Sequence, residues 1–209
     1  AAHAHLGALQ CEAGRAQEGY RHLTTAVELD PNDPRSLLSA ALYHAQRGDF
    51  AQASGMLARM AADDPTTQGA IAIIYLRMSL WRGRADQVRA LQRGWTTVDA
   101  PRRRLLERLA GVYLGRVPVS ALDEELEDAT QRDASPRVAS MIHQLAAEVL
   151  AARGEVDAAF EHLRRAASDV LVDVEWLTCC PVLGVLRAQP GFAPLAMQVR
   201  QRAAVIWAE

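Results

Sequence analysis

The sequence predicts an all-α chain: about five helix-turn-helix repeats stacked into a superhelical array and closed by a helical cap. Turn glycines and helix-stopping prolines recur at one interval, Gly14 to Gly48 and Pro31 to Pro65 each being 34 residues apart. A period of that length holding two helices marks stacked repeats. On either side of each glycine, apolar residues fall at i, i+3, i+4 and i+7, the spacing of one helical face. Composition agrees, with 50% hydrophobic but only 5% aromatic residues. Alanine is the favoured apolar residue, and small side chains let helix axes approach closely.

The first repeat, residues 1–33, presents His3, Leu6, Gly7 and Gln10 on its first helix and Gly19, Leu23 and Ala26 on its second. Gly14 breaks the two apart, as a residue free to take positive φ does. Asp30-Pro31 stops the second helix, because the residue before proline is pushed out of the helical region. The second repeat, 34–67, places Leu37, Ala40, Ala41 and His44 inward, turns at Arg47-Gly48-Asp49, and continues with Ala53, Leu57 and Met60 to a stop at Asp64-Pro65. The third, 68–100, is looser. Ile71, Ile74, Tyr75 and Met78 keep the spacing, Gly83 turns one residue late, Val88, Leu91 and Trp95 follow, and 96–100 is a longer connector. The fourth, 101–135, opens on Pro101, a favoured first helical residue. It carries Leu106, Leu109, Ala110 and Tyr113, then Leu122, Leu126 and Ala129 beneath an acidic surface. The fifth, 136–167, presents His143, Ala146, Ala147 and Leu150, then Ala159, Leu163 and Ala166. Residues 168–209 break the pattern with short helices expected over 170–178, 181–188 and 192–207. An array needs an atypical end to cover its last apolar face.

The residues GDFAQA at 48–53, and ARGEVDAAFEHLRRA at 152–166, resemble the tetratricopeptide repeat family at its turn glycine, aromatic and small packing alanine. The closing segment, with Trp176-Leu177, Pro181, Leu183, Leu186-Arg187 and Pro190-Gly191-Phe192, is similar to the end of repeat arrays fused to bacterial serine/threonine kinases, cyclases and transcriptional regulators. Cys180 stands where those arrays have aspartate before the proline. The resemblance implies a non-catalytic protein-binding region in which first helices line a concave groove. Ala1 falls inside a first helix with no capping residue before it, which leads us to expect a further domain upstream.

Several function classes are disfavoured by the residues themselves. The net charge of −2 and pI near 6.3 give no general attraction to nucleic acid or an anionic membrane. No run approaches the roughly 18 apolar residues of a membrane span, and no signal peptide is visible. Three cysteines, two of them adjacent, do not make a disulfide framework. A cytoplasmic protein is expected, and all 23 basic residues being arginine points to a GC-rich bacterial genome. Arg102-Arg103-Arg104 with Arg108 is the one dense basic cluster, and we expect it to pair with the acidic run 123–128. No nucleophile elbow, zinc-protease motif or phosphate loop occurs, so no catalysis, cofactor or metal is expected. His3 and His143 share one repeat position, and His22 and His162 another. Recurrence by repeat position speaks for packing rather than for ligation, and Cys179-Cys180 is expected to be buried in the cap.

What remains is the groove. By register it carries Ala4, Ala8 and Glu12, then Leu38, Leu42 and Gln46, then Ala72, Leu76 and Leu80. Chaperone-binding relatives of this family grip a terminal carboxylate with lysine, asparagine and arginine there. Ala4, Ala8 and Ser39 replace those groups, so the expected ligand is an apolar or amphipathic helix or peptide. The alternative occupants are a neighbouring segment of the chain or a second copy. The expected function is a regulatory or scaffolding module of a larger bacterial signalling protein, with a free-standing assembly or secretion chaperone as the second reading and a helical enzyme or metal protein as the third.

Overall fold

The computed structural model describes residues 2–60, 65–132, 135–168 and 170–208, the side chains of 129–132 excepted. The expected stop at Asp64 and the Ala129 packing position lie outside that set. Among the described residues there are thirteen α-helices and no strand. They fall into the five expected pairs: α1 (Ala2–Glu12) with α2 (Ala16–Leu29), α3 (Pro34–Gln46) with α4 (Phe50–Ala58), and α5 (Pro65–Trp81) with α6 (Ala85–Leu91). Then come α7 (Ala100–Tyr113) with α8 (Ser120–Arg132) and α9 (Pro136–Ala152) with α10 (Val156–Ser168). A 3-10 stretch, Gln92–Thr97, prolongs α6, and α11 (Val174–Cys179), α12 (Gly184–Arg187) and α13 (Phe192–Val205) complete the chain.

Local chemistry sets these boundaries. Gly14, Gly48, Gly83, Gly115 and Gly154 turn all five pairs with φ between +64° and +83°, a conformation that penalises any Cβ. Aspartates cap the following helices: Asp33 accepts from the Ser36 N–H, Asp49 from Gln52 and Asp99 from Arg102. Pro34, Pro101 and Pro136 occupy the first helical turn, where a missing N–H is harmless.

The chain divides into two compact units. The first comprises residues 1–74, 172–181 and 196–209. In it α1 packs on α2 and α3, α2 on α3, and α3 on α4. The α1–α2 approach is a backbone contact: a Cβ on Gly19 would lie 2.6 Å from the Gly7 carbonyl oxygen and from the Cys11 nitrogen. Leu23, Leu37, Ala41 and Ala53 are wholly buried, each leucine contributing about 1.5–3 kcal/mol. One expectation for α1 fails. Leu6 is 39% exposed and the buried stripe is Ala4, Gly7 and Gln10. Gly7 lies in that stripe because only a residue without a side chain allows the close approach to Gly19.

The second unit comprises 75–171 and 182–195. α7 packs on α8 and α9, α8 on α9, α9 on α10, and α12 closes on α10. Leu106, Leu109, Leu122, Leu126, Leu150 and Leu163 form its centre. Among them lies Glu148, 0% exposed, whose carboxylate accepts from Arg77 Nη2 at 2.6 Å and from Trp81 Nε1 at 3.0 Å. A buried carboxylate is tolerated because its lone pairs are matched. No helix among the described residues is long and apolar enough to cross a membrane.

Candidate functional site: the first-helix face of the first two repeats

The first helices α1 and α3 run beside one another in the first unit. Between them lies a small cleft of about 30 Å³ lined by Ala8, Cys11 and Glu12 of α1, Ser39, Leu42, Tyr43 and Gln46 of α3, and Asp173. Four of the groove residues expected from the sequence, Ala8, Glu12, Leu42 and Gln46, therefore meet in one place. Leu38 is half-buried on α3, whereas Ala4 and Ala72 are buried. Leu76 and Leu80, in the second unit, are only 1% and 2% exposed. From Leu76 to Trp81, α5 is buried at every position, so hydrophobic spacing alone could not say which of its faces is open. As folded, those two leucines face protein.

Asp173 brings to this face a segment that the register of the first helices does not reveal. It caps α11 by accepting from the Trp176 N–H at 2.8 Å, and Val174 rests on Gly14, 3.7 Å from where a Cβ would stand. Glu175 Oε1 accepts from Arg47 Nη2 at 2.5 Å. The Arg47 guanidinium in turn lies over the Tyr43 ring, 3.7 Å from its centroid, a cation–π contact that fixes its direction. Tyr43 stacks on Tyr20, whose hydroxyl meets His44 Nε2 at 2.9 Å. Sequence reasoning placed 170–178 as a cap helix, gave Arg47 only a place in the turn and did not single out Tyr43. Asp173, three residues before Trp176, is the capping signal in that stretch.

The groups that suggest ligation are otherwise engaged. His3 Nδ1 meets His22 Nδ1 at 2.7 Å, and His143 Nδ1 meets His162 Nδ1 at 3.1 Å, so each shared repeat position is half of a pair bridging the two helices of one repeat. His162 Nε2 also faces Asp123 at 3.3 Å. Among the described residues no three metal-capable side chains converge. Burial pushes the Cys11 thiol up to about 12, with Arg47 opposing, so it stays protonated and a poor nucleophile at neutral pH. Cys180 is buried, and Cys179 donates its S–H to Glu175. In the basic cluster Arg102 pairs with Asp99, Arg103 with Glu107 and Arg104 with Glu125, only the last reaching the acidic run.

Residues 11–74 match the family model described as Tetratricopeptide repeat. Over that stretch the chain is similar to tetratricopeptide repeats. The matched stretch begins within α1 and ends within α5, and so contains most of the cleft lining. No curated protein and no solved structure matches the chain. Tetratricopeptide repeats generally mediate protein–protein interaction and are typically non-catalytic.

Proposed function

We propose that this tetratricopeptide-repeat chain is a non-catalytic interaction module, the regulatory or scaffolding part of a larger bacterial signalling protein. It binds an apolar or amphipathic helix along the first-helix face of the first two repeats. Ala8, Leu38 and Leu42 supply apolar contact and Glu12 a polar rim. The observation that supports this reading is that α1 and α3 bring Ala8, Glu12, Leu42 and Gln46 to one half-open cleft.

Leu42→Arg tests it. A charged side chain in a half-buried cleft position repels an apolar ligand without entering the interior. The variant is expected to lose proteins that crosslink to the wild-type chain in cells, while its helical circular dichroism and melting midpoint match wild type. Undiminished crosslinking would mean that the partner binds elsewhere.

A further inference from the structure

The cleft between α1 and α3 is lined by two carboxylates, Glu12 and Asp173, a hydroxyl, Ser39, and an amide, Gln46, and by no basic side chain. Arg47 is held by Glu175 and the Tyr43 ring and does not line it. Gln46 is the decisive group. It is 6% exposed, yet among the described residues neither its side chain nor that of Ser39 has a hydrogen-bond partner. Buried polar groups are nearly always paired, so an amide left unpaired at a cleft points to something that enters it. Gln46 is also the last residue of α3 and Glu12 the last of α1, where the negative ends of helix dipoles favour a cation. The volume, about 30 Å³, holds a head group of about one or two heavy atoms. Magnesium and calcium ask for a shell of six or more oxygens, and among the described residues no three metal-ligating side chains converge. An ammonium has three N–H donors and asks only for acceptors.

We propose that this cleft is a binding site for a primary ammonium group, carried on a lysine side chain of another protein or on a free small amine. The ammonium donates to the Glu12 and Asp173 carboxylates and to the Gln46 amide oxygen, and the methylene behind it lies along Leu42, half-exposed at the same cleft. Asp173 serves the site while capping α11, because a carboxylate accepts at both of its oxygens. α11 itself stays seated on the buried Trp176 and Leu177. The side chains of this chain offer no ammonium of their own, since it contains no lysine.

The test is a titration of the full, isotope-labelled chain with pentylammonium chloride, followed by the side-chain amide resonances of Gln46, which Gln46→Leu identifies by their loss. Saturable shifts are expected with the amine, and none with pentanol or with sodium chloride at equal ionic strength. Glu12→Gln, at a half-exposed position, is expected to weaken binding about tenfold, the scale of one hydrogen bond to a charged group. Should that variant fail to fold, Asp173→Asn takes its place, asparagine being an equally good cap for α11. Absent shifts, equal shifts with pentanol, or undiminished binding to a variant that melts as wild type does overturns the proposal. Spermidine and a blocked tripeptide with a central lysine then separate the sources: tighter spermidine assigns the site to free amines, and a tighter tripeptide to a lysine side chain. A Leu42→Arg chain that loses its crosslinked partners, beside a wild-type chain whose Gln46 ignores the amine, would leave the interaction module standing and remove only the ammonium site.

Discussion

Two imidazoles that meet through their Nδ1 atoms can share one proton between them but not two, because a second would set two N–H groups against each other. In the fifth repeat this arithmetic is tightened by surroundings. Burial holds the conjugate acid of His162 below the ordinary histidine range, and His143 on α9 and Arg165 act in the same direction, while Asp123 on α8 opposes them. A histidine whose folded pKa is depressed contributes stability that is complete above its unfolded value, near 6.5, and is lost as pH falls through that value toward the folded one. The urea midpoint of the chain should therefore decline between about pH 7.5 and about pH 5.5, and His162→Leu should flatten that decline. An unchanged slope in the variant would show that the pair does not titrate with folding. Sequence position foretold that His3 and His143, and His22 and His162, were placed by the repeat. It did not reveal that they touch, because contact between two helices depends on their rotation as well as their spacing.

Two glycines set the limits at the scale of the helix. Gly19 in α2 faces backbone that cannot move aside, so Gly19→Ala should cost about 1–3 kcal/mol through overpacking, less the gain of about 1 kcal/mol in helix propensity. Gly55, exposed in the middle of α4, has no atom within 4 Å of where a Cβ would stand. Gly55→Ala should therefore raise stability by about 0.5–1 kcal/mol. Thermal melts of the two variants should move in opposite directions, and a shared direction would refute the close-approach account. Helix existence was legible in the sequence because period, turn glycine and capping aspartate all agreed. Facing was less so. Leu6 was expected inward by its spacing and lies outward, the buried face of α1 being Ala4, Gly7 and Gln10. α5, covered over its whole second half, offered no polar side by which spacing could assign a groove.

At the scale of the molecule, the repeat register could be read from residue 1 to 167, but what the last forty residues do could not. A cap was expected to cover the end of the array. Instead 172–181 and 196–209 belong with the first repeats, and 182–195 with the later ones. Nothing in a local pattern announces a partner more than a hundred residues away. Trp176, Leu177, Leu183, Leu186 and Val199 are all buried, and their burial contributes about 1.5–3 kcal/mol each for the larger side chains, comparable in sum with the whole stability of a domain. A chain ending at Ser168 should therefore keep much of its far-ultraviolet helical signal while losing near-ultraviolet structure and binding hydrophobic dye. A melt as cooperative and as high as that of the full chain would show the segment to be dispensable.

The bond from Trp207 Nε1 to the Ala13 carbonyl oxygen, 3.1 Å long, spans 194 residues, and Arg15 lies over the same indole, 4.6 Å from its ring centre. Stacked repeats ordinarily fold through near neighbours, each pair usable as soon as the next appears. Here the first two repeats leave the ribosome well before the residues that complete their unit, at roughly 5–20 residues per second. For many seconds of synthesis the cleft between α1 and α3 has neither α11 nor Trp207 beside it. Residues 2–60 are thus made well before 172–181 and 196–208, the residues that complete their unit.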